Sequence, residues 1–317
     1  MSPCIKKITN LKLFLLFNTR YNKETTNLEI GESMTIQLMT DGGADIPKEL
    51  SGIIDIKTIP LYLNFRDQQY KSGVDLDLAT FYKKIEETKE LPRSAAPSPN
   101  DFYEAYKQVD PSTPIIMLSL SGGLSSTYDN AVAGKKLLLE EEPNRKIEVI
   151  NTKTASCGQA LMLFEAYQKI QENYSFEEIV SHLNKMVKHT ATLFVLKTLE
   201  NLVLGGRLDK VKGTIAKTLN IKLLMKGSDE GTIEVSEKVR GDKKSIRRFV
   251  EQIGEYAKSV EDKILVMTHC NASERAKAVL SEIKEKYTFK STYLTEMGPL
   301  ISTYGGEGAL VIAFFKD

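Results

Sequence analysis

Apolar and polar positions follow two rhythms along the chain. In the first half, short apolar runs are separated by longer stretches whose apolar residues recur at three- and four-residue spacing. A short apolar run between turn residues predicts a buried strand, and the longer spacing predicts an amphipathic helix. The predicted strands lie at 35–40, 53–65, 115–118 and 147–151, and the predicted helices at 78–89, 98–108, 125–141, 156–171 and 175–189. This alternation predicts βαβ units and a mainly parallel sheet.

The second half has a different order of elements. Two strand-like runs, 221–226 and 232–238, are joined by a short glycine-containing loop, which predicts a hairpin. The other predicted elements are strands at 191–196, 263–268, 291–294 and 309–315 and helices at 199–204, 243–258 and 273–287. We therefore predict an α/β protein of two domains, a mainly parallel three-layer α/β domain at 34–180 and a smaller α+β domain at 181–317.

The first 33 residues stand apart from this pattern. Their one apolar run, 11–17, follows two lysines but is not followed by the small residues of a signal-peptide cleavage site. Gly31-Glu32 can be encoded by a sequence resembling a bacterial ribosome-binding site, just ahead of Met34. Our hypothesis is that Met34 is the natural start and that 1–33 is a translated leader or disordered extension. The alternative is an ordered N-terminal extension, and the DNA upstream of codon 34 would distinguish them.

Composition narrows the classes of function. The formal net charge of +1 gives no electrostatic reason to expect nucleic acid. The three cysteines are far apart, which argues against a disulfide framework and favours a reducing cytoplasm. None of the three histidines lies in a cluster with metal-ligand spacing, so we expect no metal. No apolar run has the length needed to span a bilayer.

The segment 115–131 carries the clearest candidate chemistry. An apolar run ends in a loop where two glycines, Gly122 and Gly123, lie among several hydroxyl residues, and a predicted helix follows. Free N–H groups and the helix dipole at such a junction favour an anion. The alternative is an ordinary β–α turn with a serine N-cap.

Motifs of catalysis are missing or weak. The sequence has neither the P-loop pattern nor the Gly-x-Ser-x-Gly elbow of serine hydrolases. His269 ends a predicted strand, where a structural role is more common than a catalytic one, and His182 and His189 lie on a predicted helix. Hydroxyl and glycine loops without an evident acid, base or metal suit binding an anionic head group better than chemistry on it.

Five segments together carry a resemblance to a known family. They read TDGGAD at 40–45, SAAPSP at 94–99, SGGLSSTY at 121–128, LENLVLGGR at 199–207 and GPLISTYGGEG at 298–308. In this order they resemble the motifs of the DegV family of bacterial fatty-acid-binding proteins, over essentially 35–315. Each segment alone is a weak signal, but five in the family's order are a strong one.

The resemblance implies a cytoplasmic lipid carrier and not an enzyme. Such a protein buries a long acyl chain, holds its carboxylate at hydroxyl loops, and presents it to a separate fatty acid kinase for phosphorylation, which feeds phospholipid synthesis. Carried over by position, Ser94 and Ser125 would donate to the carboxylate, with Ser121 as a neighbouring donor. Arg207 would serve the head group or the kinase contact. The ligand-binding residues implied as a set are Ser94, Ser121, Ser125, Thr127, Arg207 and Tyr304.

The resemblance also sets the expected partners and marks the departures. We expect a monomer that binds a long-chain fatty acid and a fatty acid kinase, with transient membrane contact, no nucleic acid and no cofactor besides the lipid. Residues differ from the family pattern at Gly42, Ala95, Ala96, Gly122 and Tyr304. Tyr304 replaces a histidine, so it can donate a hydrogen bond but carries no positive charge near pH 7. Two alternatives stay open: an enzyme resembling the substrate subunit of dihydroxyacetone kinases, and a regulatory protein whose lipid is structural.

Overall fold

The computed structural model describes residues 35–208 and 221–317. The hypothesis about residues 1–33 lies outside them. The strands are β1 (Gln37–Asp41), β2 (Ile56–Ile59), β3 (Tyr62–Phe65), β4 (Gln68–Lys71), β5 (Arg93–Ala95), β6 (Ile115–Ser119), β7 (Ile147–Asn151), β8 (Thr190–Val195), β9 (Ile221–Gly227), β10 (Ile233–Arg240), β11 (Ile264–His269), β12 (Ser291–Glu296) and β13 (Leu310–Phe315). The helices are α1 (Lys48–Ser51), α2 (Leu78–Thr88), α3 (Pro99–Lys107), α4 (Thr127–Glu141), α5 (Cys157–Gln171), α6 (Phe176–His189), α7 (Glu200–Leu204), α8 (Asp242–Glu251), α9 (Ile253–Tyr256), α10 (Ser273–Lys286) and α11 (Pro299–Gly305).

The first sheet is parallel, with the strand order β2-β1-β6-β7. All five residues of β6 are buried, as expected of a strand covered on both faces. Because the carboxyl ends of parallel strands meet at one edge, the loops that follow β1, β6 and β7 come together there. This is the edge at which open α/β sheets bind ligands. A separate antiparallel sheet has the order β4-β3-β5.

The second large sheet is mixed, with the order β10-β9-β8-β13-β11-β12. The predicted hairpin is confirmed as the antiparallel pair β9–β10, whose ladder is interrupted by an irregularity between Val235 and Glu237. The strand β13 lies inside the sheet between β8 and β11, and all six of its residues are buried. The predicted mixed α/β fold is confirmed.

The helix α5 lies in the core between the two large sheets. Its residues Leu161 and Met162 belong to one apolar cluster with Leu118 of β6, Val266 of β11 and Val311 of β13. Every residue from 157 to 163 is buried, so no face of this part of the helix is left to water. A single core therefore joins the first sheet to the second and fixes the edge loops of one against the face of the other.

Several elements differ from the predictions. The strand predicted at 53–65 is two strands, β2 and β3, which lie in different sheets, and β4 was not predicted. The segment 93–97, for which neither a strand nor a helix is predicted, begins with β5, which pairs antiparallel with β3 through Leu63 and Ser94. The segment 296–308, for which neither a strand nor a helix is predicted, contains α11, and Pro299 at its first position is a helix-start signal. The predicted domain boundary at 180/181 falls within α6 and stays a prediction.

Candidate functional site

A largely apolar cavity lies between the carboxyl edge of the first sheet and the face of the second. Leu61 and Leu120 line it on one side, and Phe194, Leu196 and Val311 line it on the other. The space open to the centre of a water-sized sphere is about 140 Å³. One water needs only about 10–15 Å³ of such space, so the cavity is sized for a ligand and is much larger than a packing void.

One face of β8 forms a wall of this cavity. Thr192 and Phe194 of β8, with Leu196 just beyond it, line the cavity because side chains two residues apart project to the same side of a strand. Four residues of strand cover about 13 Å. The helix α7 follows the Leu196 end of the wall, so residues packed on α7 lie near that end.

A polar cluster of Ser94, Arg207 and Tyr304, the Tyr304 cluster, lies at the α7 end of this wall. Ser94 Oγ and Tyr304 Oη are 2.5 Å apart, and the Arg207 guanidinium lies 5.1 Å from the centre of the Tyr304 ring. Arg207 also donates from Nε to the Leu124 carbonyl at 3.2 Å. All three residues line the cavity and are half-buried. They bring hydroxyl donors and one cation to the end of an apolar space.

The backbone places these side chains together. Pairing of β5 with β3 carries Ser94 to the cavity, and α11 carries Tyr304. Gly205, directly after α7, lets the tyrosine ring approach, because a Cβ there would lie 2.5 Å from Tyr304 Cε1. The first glycine of the Gly-Gly-Arg turn is thus required by a close approach of the ring to the backbone.

Ser125 faces the same cavity from the loop between β6 and α4. Its Oγ lies 2.8 Å from Thr127 Oγ1 and accepts from the Thr127 backbone N–H at 3.3 Å. Ser125 is half-buried and lines the cavity, whereas Thr127 is fully buried and is not among the lining residues. The serine therefore bonds to the backbone at the start of α4 and also presents a hydroxyl to the cavity. The N-cap of α4 is Ser126, which makes no side-chain capping bond.

Ser121 is bonded within the protein. Its Oγ donates to the Gly231 carbonyl in the β9–β10 turn at 2.6 Å and accepts from the Gly123 N–H at 3.1 Å. It is buried and is not among the lining residues. The structure thus gives Ser121 a role in fastening two loops, and its role as a ligand donor stays a prediction, as do those of the other five residues.

Asp41, the last residue of β1, is the centre of a buried hydrogen-bond network that the sequence motif did not explain. In this network, the Asp41 network, the Asp41 carboxylate accepts from the N–H groups of Gly43 and Leu120, at 2.9 and 2.8 Å. It also accepts from the side chains of Ser119 and Gln159, at 2.8 and 3.0 Å. Burial raises the pKa of Asp41 despite these bonds. An aspartate directly after a buried strand was the available signal.

Asp45 hydrogen-bonds to two segments that are far apart in the sequence. One carboxylate oxygen accepts from Ser156 Oγ at 2.6 Å, and the other accepts from the Gly298 N–H, at the start of α11, at 2.7 Å. Ser156 Oγ also lies 2.9 Å from Thr268 Oγ1 of β11. Burial raises the pKa of Asp45 to about 7. This carboxyl therefore ties the loop after β1 to the helix that carries Tyr304.

The histidines lie away from the cavity lining. His182 Nε2 is 2.6 Å from Glu165 Oε1, which links two helices. His269 is mostly buried, its pKa is lowered by that burial, and its Nδ1 accepts from the Ala272 N–H at 3.3 Å. Within 35–208 and 221–317, no group of three or more His, Cys, Asp or Glu residues could hold a metal ion. In the same ranges, no helix combines the length and apolar character needed to cross a membrane.

Comparison with known proteins fits this arrangement. A family model described as an uncharacterised protein of the DegV family matches residues 35–317. The chain belongs to the DegV family. A DegV domain-containing protein of Clostridium acetobutylicum is 30% identical over 285 residues, which cover 89% of this chain and 99% of that protein.

Solved structures of DegV proteins share the fold and contain lipids. A DegV family protein from Ruminococcus gnavus, refined with vaccenic acid, has a TM-score of 0.83 and 30% identity and covers 88% of this chain and 99% of its own. The Fatty Acid Kinase (Fak) B3 protein of Streptococcus pneumoniae, loaded with linoleic acid, has a TM-score of 0.78 and 28% identity. That alignment covers 90% of this chain and all of the other.

Proposed function

We propose that this protein binds a long-chain fatty acid, with the acyl tail in the apolar cavity and the carboxylate at the Tyr304 cluster. The observation that carries the proposal is the cavity itself, whose lining is largely apolar and which has Ser94, Tyr304 and Arg207 together at the α7 end of the β8 wall. An aliphatic tail with a single anionic head has the same distribution of polarity. The fatty acids in the two DegV structures support this choice of ligand.

The energetics divide between tail and head. Burying a tail of about fifteen methylenes contributes roughly 0.8 kcal/mol each, or on the order of 12 kcal/mol before the costs of ordering. The tail therefore supplies most of the affinity, and the polar cluster fixes the orientation of the head. Ser94, Ser125 and Tyr304 are neutral donors, which hold a carboxylate without burying it in a strong ion pair.

The protein is proposed to act as a carrier that presents the bound acid to a fatty acid kinase. The cluster around the head offers donors and a cation but no side chain placed as an acid–base pair. The likeness to the Fak B3 protein supports a kinase partner. We further propose that the carrier works in the cytoplasm as a monomer and meets membranes transiently.

Organic extraction of the purified protein followed by mass spectrometry tests the ligand. We expect close to one long-chain fatty acid per chain. An empty protein that instead turns over a small hydroxyketone would favour the dihydroxyacetone kinase-like alternative.

Ser125→Ala tests the placement of the head. We expect weaker fatty acid binding, because the variant removes a cavity-facing hydroxyl, and the matched variant Ser126→Ala removes an exposed hydroxyl from the next position. Equal affinity of Ser125→Ala and the wild type would remove Ser125 from the head-group site.

A further inference from the structure

The helix α11, which carries Tyr304, is held at its start by side chains from two distant segments. The Gly298 N–H donates to Asp45 Oδ1 at 2.7 Å, and the Leu300 N–H donates to Ser72 Oγ at 3.1 Å. The first backbone N–H groups of a helix have no partner within the helix, so each needs an outside acceptor. Asp45 and Ser72 supply these acceptors and so fix the start of α11.

The same helix forms part of the cavity wall. Leu300, Ile301 and Tyr304 line the cavity from α11, and Met297 lines it from just before the helix. Tyr304 in turn bonds to Ser94. A change in the position of α11 would therefore move this part of the wall together with the Tyr304 cluster.

The Asp45 carboxyl lies directly behind the cavity wall. Its Oδ2 accepts from Ser156 Oγ at 2.6 Å, and Ser156 lines the cavity. Asp45 itself is only 5% exposed and is not among the lining residues. A charge at this position is separated from a bound ligand by one side chain and is only weakly screened by water.

No cation compensates a charge on Asp45. Among the described residues, its carboxyl forms hydrogen bonds with neutral donors and no ion pair. The thiols of Cys157 and Cys270 face it, and burial raises the pKa of both, so they stay neutral near pH 7. Next to Cys270 lie the Tyr82 hydroxyl, whose pKa is also raised by burial, and the exposed Glu296. In these surroundings burial raises the pKa of Asp45 to about 7.

The proton on Asp45 can be gained without loss of the contact to α11. A protonated carboxyl still accepts from the Gly298 N–H with one oxygen and donates to Ser156 Oγ with the other. The Ser156 hydroxyl then turns its own proton to Thr268 Oγ1, 2.9 Å away. What changes with pH is therefore the charge behind the wall, and not the position of the helix.

A bound carboxylate places a second negative charge on the same side of the cavity. Tyr304 lies six residues along the chain from Gly298, or about 9 Å at about 1.5 Å per helical residue. We propose that Asp45 is a positioning residue for the head-group site and that fatty acid binding takes up a proton at Asp45. Two unit charges about 10 Å apart, at an effective dielectric constant of about 20, change an affinity about tenfold. The proposal rests on the proposed fatty acid binding and adds a dependence on pH.

Binding of cis-parinaric acid, a fluorescent eighteen-carbon fatty acid, tests the proposal between about pH 6 and about pH 8.5. We expect the wild-type dissociation constant to rise about tenfold over this range, because the carboxylate then meets an ionised Asp45. Asp45→Asn keeps the shape of the side chain and cannot ionise, so its affinity should be the same at both pH values. The methyl ester of the same acid carries no charge, and the wild type should bind it equally well at both.

Two control variants separate Asp45 from other titrating groups. Asp67→Asn changes an exposed carboxyl, and His269→Gln removes the histidine at the end of β11. Both should keep the pH profile of the wild type. Calorimetry in two buffers of different ionisation enthalpy should show uptake of part of a proton when the wild type binds the acid above pH 7. This measurement does not depend on the folding of any variant.

The contrary outcomes are distinct. A wild-type affinity for the acid that does not change with pH, with no proton taken up, would overturn the link to Asp45. An equal pH profile in Asp45→Asn would do the same, because it would place the proton on another group. Failure of both the acid and its ester to bind at any pH would instead overturn the proposed function.

Discussion

The polar side chains around the cavity belong to two regions that differ in where their hydrogen bonds go. In the Asp41 network the Asp41 side chain is fully buried, and its carboxylate accepts hydrogen bonds from four protein donors. In the Tyr304 cluster the side chains are half-buried at the edge of an apolar space. Ser94 and Tyr304 bond to each other, and Arg207 donates to the Leu124 and Gly205 carbonyls. The first region uses its polarity to hold loops together, and the second keeps donors for a ligand. Proximity to the cavity therefore does not by itself make a polar residue a binding residue.

The largest expected effect is on the Asp41 network. Asp41→Ala would leave the N–H groups of Gly43 and Leu120 and the Ser119 hydroxyl without their acceptor. Gln159 would keep Thr40 Oγ1 and the Leu118 carbonyl as acceptors. Each buried unpaired group costs about 1–3 kcal/mol, so we expect the free energy of unfolding to fall by about 3 kcal/mol or more. Urea denaturation measures this. The exposed Asp67→Ala is the control, and a loss no larger than in that control would contradict the structural role of Asp41.

The next effect is a pH dependence at Asp45. Its pKa is raised by burial from 3.8 to about 7, so the folded state holds this proton more tightly than the unfolded state. The contribution of the Asp45 carboxyl to the free energy of unfolding is therefore fully present below pH 4, falls as the pH rises to about 7, and is constant above that. Asp45→Asn cannot ionise and should not show this loss. We expect the free energy of unfolding of the wild type, relative to that of Asp45→Asn, to fall by a few kcal/mol between pH 4 and pH 8. A difference between the two proteins that does not depend on pH would contradict the raised pKa of Asp45.

In the Tyr304 cluster we expect loss of affinity without loss of stability. Ser94→Ala removes one donor at the end of the cavity and should weaken fatty acid binding about tenfold, with the free energy of unfolding changed by less than about 1 kcal/mol. Tyr304→Phe should have a similar effect. If the two hydroxyls act as one unit, the double variant will bind no more weakly than either single one. A large drop in stability with unchanged affinity would move Ser94 into the structural region.

The smallest effect distinguishes the two regions within a single loop. Ser121→Ala removes the bond to the Gly231 carbonyl and should lower the free energy of unfolding by about 1 kcal/mol. Fatty acid affinity should stay within about twofold of the wild type, since Ser121 is not among the cavity-lining residues. A tenfold loss of affinity would return Ser121 to the ligand-binding set that the family resemblance implied.

The elements of the fold could be predicted because each depends on local pattern. The burial of β6 follows from its unbroken apolar run, and α3 follows from Ser98 and Pro99. In the structure Ser98 forms a capping box with Asp101. The strand β5 could not be predicted from the sequence, because three residues of Arg-Ser-Ala have no strand pattern and form one only by pairing with β3. Register and pairing partners are set by segments distant in the chain.

The candidate site divides in the same way. The sequence by itself determined the order of the loops, the residue types in them and, through five motifs in order, the family. Only the tertiary structure decided that Ser94 meets Tyr304, 210 positions later, while Ser121 turns away to Gly231. The physical reason is that a hydroxyl has the same chemistry wherever it lies, and its role depends on which acceptor the packed core brings within hydrogen-bond distance.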